Sequence, residues 1–398
     1  MPGAAAKRLP TTKSVLEIAR DVQSAIWTEI SATILKGLKS LLEGLLEDQV
    51  TEAVGVSRYE RSGKRLRYRN GHYTRDLATR HGLIEDLQVP RTDKGSVPFS
   101  VFSRYQRRQE AVDAAIGQLF LQGISTRKLK RIAQDLFGVP VSATTVSKAA
   151  AVLDEDLKRY QTQSLEDDVE FLFLDGIAQK VREIGVEGKV MLCAFGIHAD
   201  GKKEILSFRL ADAEDTDSWE SFLIDLKGRG LQGKRLRLIT VDGNPALLKA
   251  LRRIYPARKI QRCIAHKLRN VVVKLKRAHR EACMGEARLI FGAQNRKEAI
   301  ARFKAWREKW IVLEERAVRC LEKDLFHCLH YFSFPKDLWK RIRTTNILER
   351  TFREIRRRTN PMGVFTNAES AERIMYGVSK NLYANWKENP LPQFQQNC

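Results

Sequence analysis

Residues 171–177 read FLFLDGI. Apolar side chains run straight into Asp175, so a carboxylate stands where a core strand meets its edge. The pattern returns at residues 236–245, LRLITVDGNP, where the apolar run ends in Asp242. A hairpin turn explains the first Asp-Gly as well as chemistry does. The second is harder to explain away. Asn244 can cap the following helix and Pro245 suits its first turn, which leaves Asp242 without a structural task. A carboxylate at a buried strand end costs free energy unless a partner neutralises it, and a divalent cation is such a partner.

Working outward, VEFLFLDGI, KVMLCAFGIHA and EILSFRLAD predict three strands, with a hairpin turn at the DGK of 200–202. A helix (DTDSWESFLIDLKGRG), a strand (RLRLITVD), a helix (NPALLKALRRIY) and a short strand (KIQRC) follow. That order predicts an α/β fold with a mixed sheet. Beyond Cys263 the pattern is helical to about Phe332, SFP at 333–335 breaks it, and a last helix covers TTNILERTFREIRRR. Leu348, Phe352 and Ile355 form the buried stripe of that helix. Glu349 lies one residue, roughly 100°, off the stripe. It either pairs with Arg353 one turn on or reaches into a cleft beside the sheet.

The chain has 398 residues and a formal charge of +23, from 71 Lys and Arg against 48 Asp and Glu. That length allows two or three domains, and the excess of positive charge points to a polyanion, most commonly nucleic acid. No run of eighteen apolar residues exists and MPGAAAKRLPTTKS has no signal-peptide core, so membrane and secretory readings fall. Six scattered cysteines suit reduced thiols in the cytoplasm. None precedes Cys193, which excludes an N-terminal zinc finger.

In the N-terminal third, residues 14–56 show helical periodicity, with Ile34, Leu35, Leu38, Leu41, Leu42, Leu45 and Leu46 on a broad apolar face for core packing or a second protomer. Residues 58–108 carry thirteen Lys and Arg against five acids, interleaved with aromatic residues, and RDLATRHGLIEDLQVP predicts a hairpin turning at His81-Gly82 and ended by Pro90. From Gly123 onward two capped helices are expected. Ser125 caps the first, with Leu129, Ile132, Ala133 and Leu136 inward. Ser142 caps the second, with Val146, Ala150 and Leu153 inward. The pair fits a helix-turn-helix or any other helical hairpin. As a DNA reader it would use Arg127, Lys128, Lys130 and Arg131, with Thr144, Thr145 and Lys148 opening the second helix.

The DG at 175, TVDGN around 242, CIAH from Cys263 and TTNILER at 344–350 together resemble the Mutator-type family of bacterial insertion-sequence transposases. YERSGKRLRYRNGHY, VPR, RYQRR and GISTRKL upstream, and EIRRRTNPMGVF downstream, extend the resemblance from about Tyr59 to Trp386. It implies a ribonuclease H-like catalytic domain interrupted by an all-α insertion and preceded by a mainly helical DNA-binding region. Its expected segments are 1–57, 58–108, 109–165, 166–266, 267–338 and 339–398. It also implies an Asp-Asp-Glu triad, which falls on Asp175, Asp242 and Glu349, spaced by 67 and 107 residues. The sequence departs from many relatives at GNPALLKA after Asp242 and at Thr351-Phe352, neither of which touches a triad acid.

Hard oxygen donors favour two Mg²⁺ or Mn²⁺ ions over zinc. Cys263-x-x-His266 has HCLH (His327, Cys328, His330) as its one candidate partner, in a spacing that matches no common ligand pattern, so no structural zinc is expected. The resemblance instead sets Cys263 and His266, with Asn346, beside the active site. A buried, satisfied histidine remains the alternative. Arg350, Arg353, Arg356, Arg357 and Arg358 suit DNA phosphates. Trp306 and Trp310 are either core or a stack for a flipped base. The function expected is a DNA transposase acting as a dimer or larger assembly on terminal inverted repeats and target DNA, in the bacterial cytoplasm. A ribonuclease H-like nuclease or resolvase, and a non-catalytic DNA-binding regulator, are the rivals.

Overall fold

The structure is a computed structural model that describes residues 15–94, 97–103, 105–122, 124–182, 185–360, 363–365 and 367–387. The chain divides into two compact units, one of residues 1–120 and 125–149 and the other of 121–124 and 150–398.

The first unit opens with helix α1, Val15–Val54. Strands β1 (Arg69–Thr79) and β2 (Gly82–Thr92) pair antiparallel beside it. The broad apolar face expected of α1 splits in two. Leu35, Leu38, Leu42 and Leu46 pack on Leu77, Ile84, Leu87, Val89 and Phe102, whereas Ile34, Leu41 and Leu45 are exposed. The hairpin turns one residue earlier than expected, because Thr79 pairs with Gly82 and leaves Arg80-His81 as the loop. Pro90 does not end it: β2 continues to Thr92, with Pro90 opposite His72. A two-stranded sheet has open edges where a missing N–H is tolerated.

Helices α2 (Glu110–Leu121), α3 (Thr126–Phe137) and α4 (Ala143–Ala151) follow. The Ser142 hydroxyl accepts the Thr145 N–H at 3.0 Å, as a cap should. Ser125 occupies the cap position of α3 without a side-chain bond. The α3 stripe is also displaced, with Leu129, Ala133 and Phe137 buried and Leu136 58% exposed. Gly138 ends α3 at φ +71° and donates its N–H to the Gln134 carbonyl.

In the second unit, helix α5 (Leu153–Thr162) precedes strands β3 (Val169–Arg182), β4 (Val186–His198) and β5 (Lys203–Ala211). Helix α6 (Thr216–Gly228), strand β6 (Leu238–Val241), helix α7 (Pro245–Ile254) and strand β7 (Ile260–Arg262) complete a mixed sheet of order β5-β4-β3-β6-β7. β4 runs antiparallel to both β3 and β5, whereas β3, β6 and β7 are parallel. Side chains alternate across β3, so Leu172 and Leu174 enter the core under α6 and α7 with Trp219, Phe222 and Leu247. Phe171, Phe173 and Asp175 take the other face, where Phe171 meets Phe334 and Phe173 meets Phe195.

From Ile264 to Ile342 the chain is helical: α8 (Ile264–Val273), α9 (Arg280–Phe291), α10 (Arg296–Trp310), α11 (Glu315–Cys328) and α12 (Lys336–Ile342). Trp306 and Trp310 belong to its core, their indole N–H groups bonded to the Cys283 carbonyl and the Glu286 carboxylate at 3.0 and 2.8 Å. Helix α13 (Asn346–Thr359) returns to β3, and α14 (Ala368–Lys387) packs on β5 and α5. α14 is a full helix where only a C-terminal tail is expected from the sequence. There Glu372 accepts the Leu210 N–H at 3.1 Å, which gives the edge strand β5 a partner. Among the described residues no helix is long and apolar enough to cross a membrane.

Candidate active site

The Asp-Gly at 175 is not a turn. β3 continues through it for seven residues, and Asp175 pairs with Cys193 in mid-strand. What ends beside it is β6. The last parallel pair is Leu174 with Val241, so Asp175 and Asp242 are the next residues on two neighbouring strands. Asp175 is buried, and burial first, then the charge of Asp242, pushes its carboxyl up to about 7. Asp242 has a local task after all, since its Oδ1 accepts the Asn244 N–H at 2.8 Å. Asn244 caps the Ala246 N–H at 2.8 Å, with Pro245 in the first turn. Gly243 between them holds φ +93°, and the Arg262 guanidinium lies where its Cβ would be.

A third carboxylate, which sequence reasoning missed, stands near the pair. Glu214 reaches Gly176 so closely that a Cβ there would sit 3.3 Å from its carboxyl carbon. Burial and then Asp242 raise its pKa. The acid-rich AEDTD that leads into α6 was its only trace in the sequence.

Glu349 arrives on α13, whose buried stripe is Leu348, Phe352 and Ile355 as its spacing predicted. The start of α13 is fixed by three bonds: Thr240 Oγ1 to the Ile342 carbonyl at 2.7 Å, Ile264 N–H to the Arg343 carbonyl at 3.1 Å, and Thr345 N–H to Cys263 Sγ at 3.3 Å. Glu349 then lines one open pocket with Asp175, Gly176, His266, Arg269, Arg353, Arg356 and Arg357. It does not pair with Arg353 in the manner of a surface helix. Its partner is Arg269 on α8, whose Nη2 donates to Oε2 at 3.0 Å. Oε1 lies 2.9 Å from the same nitrogen but has no hydrogen bond and is closed off from solvent.

His266 joins the groups. Its Nε2 is 3.6 Å from Glu349 Oε1 and its Nδ1 is 3.3 Å from Thr345 Oγ1. The Cys263 side chain first, then the Asp175 and Glu349 carboxylates, hold the imidazole above its usual range against the effect of burial. Burial would raise the Cys263 thiol, but hydrogen bonds from His266 and Thr345 outweigh it and draw it lower. His330, of the HCLH segment, bonds the Ile260 carbonyl at 2.8 Å.

The other expected residues are spread more widely. Asn346 and Arg350 line a separate pocket with Lys203 and Arg341. Arg358 is held by Glu354 at 2.6 Å, with Arg357 at 3.7 Å from the same carboxylate, so α13 does contain an acid that pairs its arginines. Arg127, Lys128, Lys130, Arg131, Thr144 and Lys148 are exposed, and Thr145 is half-buried beside Ser142.

Residues 11–389 match the family described as "Transposase, Mutator family". The chain belongs to that family. A transposase for insertion sequence element ISRM5 of Rhizobium meliloti is 38% identical over 352 residues, 88% of each chain. A transposase for IS256 in transposon Tn4001 of Staphylococcus aureus is 32% identical, covering 92% of this chain and 95% of its own. One for IS905 of Lactococcus lactis is 28% identical over 85% and 86%. Within this Mutator-family chain the carboxylates supply hard oxygen donors, which suit Mg²⁺ or Mn²⁺. As the side chains lie, no three His, Cys, Asp or Glu groups among the described residues stand close enough to hold an ion. Two aspartates lie side by side, and the Glu349 carboxylate is turned to Arg269.

Proposed function

We propose that this chain is the transposase of an insertion sequence, binding the element's terminal inverted repeats and carrying out metal-dependent strand cleavage and strand transfer. The observation that carries the reading is the meeting of Asp175 and Asp242 at one register step, with Glu349 in the pocket that Asp175 lines. Burial first, and then the charge of Asp242, lift the Asp175 carboxyl to about 7, so a cation beside the pair would relieve both. Glu349 Oε1 is buried without a hydrogen bond, 2.9 Å from Arg269 Nη2, and a metal ion could take the place of that guanidinium. Asp175, Asp242 and Glu349 would hold two Mg²⁺ or Mn²⁺ ions. Bound there, such ions supply activation of a water or 3′-hydroxyl and charge for the leaving oxygen of an in-line displacement.

The chain's own residues do the rest. Arg353, Arg356 and Arg357 present guanidinium groups to the phosphates on either side of the scissile bond. His266 tethers Glu349 to the start of α13 through Thr345. The sheet order, with the helical stretch between β7 and α13, supports a ribonuclease H-like domain with an all-α insertion. In the first unit, α3 and α4 fit a helix-turn-helix whose exposed Arg127, Lys128, Lys130, Arg131, Thr144 and Lys148 meet DNA. Arginines lie over aromatic rings there as well, Arg65 on Tyr68 and Arg91 on Tyr73, both at 5.2 Å. Exposed Val22, Ile26, Trp27 and Ile30 on α1 suit a second copy of the chain.

The test is incubation with labelled element ends and Mg²⁺, mapping the bond cut, followed by strand transfer with pre-cleaved ends. Joined product supports a transposase. Hydrolysis without joining would leave a nuclease, and neither activity would leave a DNA-binding protein.

A further inference from the structure

We infer that Arg269 is a positioning residue that holds Glu349 away from the aspartate pair until DNA arrives, then exchanges the carboxylate for a phosphate. The inference rests on the metal-site reading of Asp175, Asp242 and Glu349.

The pocket carries two features that pull against each other. Asp175 and Asp242 stand side by side after the last pair of the β3–β6 ladder, while Glu349 has an arginine of its own. Arg269 comes from α8 and Glu349 from α13, 80 residues apart, so this is no accident of local helix geometry. The bond is also incomplete. A single guanidinium nitrogen meets both carboxylate oxygens, at 2.9 and 3.0 Å, in place of the parallel two-nitrogen fork. Oε1 is left buried and without a hydrogen bond. A contact of that kind is easily traded. The Arg269 side chain is 58% exposed at the mouth of the pocket, among Arg353, Arg356 and Arg357, where a phosphate would enter. A phosphate offers the fork what Glu349 does not, and its departure frees the carboxylate for a cation.

Binding of DNA and of divalent metal are then coupled, and by linkage the coupling acts in both directions. Without DNA the third donor is occupied, which limits metal loading and idle hydrolysis.

The experiment measures Mn²⁺ bound to the full chain by electron paramagnetic resonance, with and without a duplex oligonucleotide. The expected result is tighter Mn²⁺ binding by the wild type when duplex is present. Arg269→Ala should bind Mn²⁺ roughly fivefold tighter without DNA and lose most of the gain that DNA brings, a surface ion pair contributing up to about 1 kcal/mol. Lys274→Ala removes one positive charge just past the end of α8 without touching Glu349, and should keep the DNA-dependent gain. Equal shifts in both variants, each with the gain intact, would overturn the inference by reducing it to general electrostatics. Arg269→Gln repeats the test if the alanine variant melts early. Unchanged Mn²⁺ affinity in Asp175→Asn and Asp242→Asn would instead refute the metal-site reading, a separate outcome.

Discussion

Leu174 is paired with Val241 in the last step of the β3–β6 ladder, and each is followed by an aspartate. Parallel strands in register advance together, about 3.3 Å per residue, so one hydrogen-bonded pair is enough to bring residues 67 positions apart side by side. The two acids differ in surroundings. Asp175 lies inside a strand that continues, and Asp242 begins a loop and accepts the Asn244 N–H.

Asp175→Asn, Asp242→Asn and Glu349→Gln should each abolish strand cleavage and leave binding of end DNA within a fewfold of wild type. Gel-shift and nicking assays on the same preparations check this. Full nicking by any one variant removes that acid from the site.

Asp175→Asn should also stabilise the metal-free protein. The raised carboxyl means that ionisation is opposed by burial and by Asp242, so at pH 8 the folded state bears a cost on the order of 4 kcal/mol that an amide avoids. The gain should fade as the pH falls from 7 through 4 and vanish only below about pH 3, where Asp175 is protonated in both states. Thermal melts in chelator across that range are the measurement, and a gain independent of pH would contradict it.

His198 supplies a pH effect of opposite sign, far along the sheet. It is buried, with Nδ1 2.6 Å from Asp168 and Nε2 3.2 Å from Glu204. Burial works against its charge, but the two carboxylates prevail and lift it to about 9. A pKa raised above the unfolded value gives stability that is complete below about pH 6.5 and lost as pH rises through about 9. His198→Gln should therefore cost on the order of 2 kcal/mol at pH 6 and much less at pH 9.5. Denaturant titrations at the two pH values decide it.

Gly243→Ala should be severe. A Cβ would fall 1.4 Å from the Arg262 guanidinium carbon, and Arg262 Nη1 donates to the Gly243 carbonyl at 2.6 Å. Together with φ +93°, expulsion of Arg262 should cost more than about 2 kcal/mol and displace Asp242. A melt and a nicking assay should both show the loss, while the arginine-rich face of α13 keeps most DNA affinity.

Much of the framework around the pocket was legible because it rests on local rules. Continuous apolar runs gave β3 to β5, Asn244-Pro245 gave the start of α7, and the spacing of Leu348, Phe352 and Ile355 gave the buried side of α13. Where local signals compete, pairing prevailed. Asp175-Gly176 has the chemistry of a turn, yet β4 supplies partners on both sides of it and the strand runs on. The exposed Leu136 and the divided face of α1 fail for the same reason, since periodicity marks an apolar side but not which neighbour covers it.

By itself the sequence determined which side chains carry charge, where β3 to β7 and α13 lie, and which side of α13 is buried, because those follow from contacts a few residues apart. Only the tertiary structure decided that Glu349 is bound to Arg269 rather than Arg353, that Glu214 joins Asp242, and that α14 covers β5. Each of these joins parts of the chain distant in sequence. Such contacts depend on register and helix docking, which no spacing of residues along one element encodes.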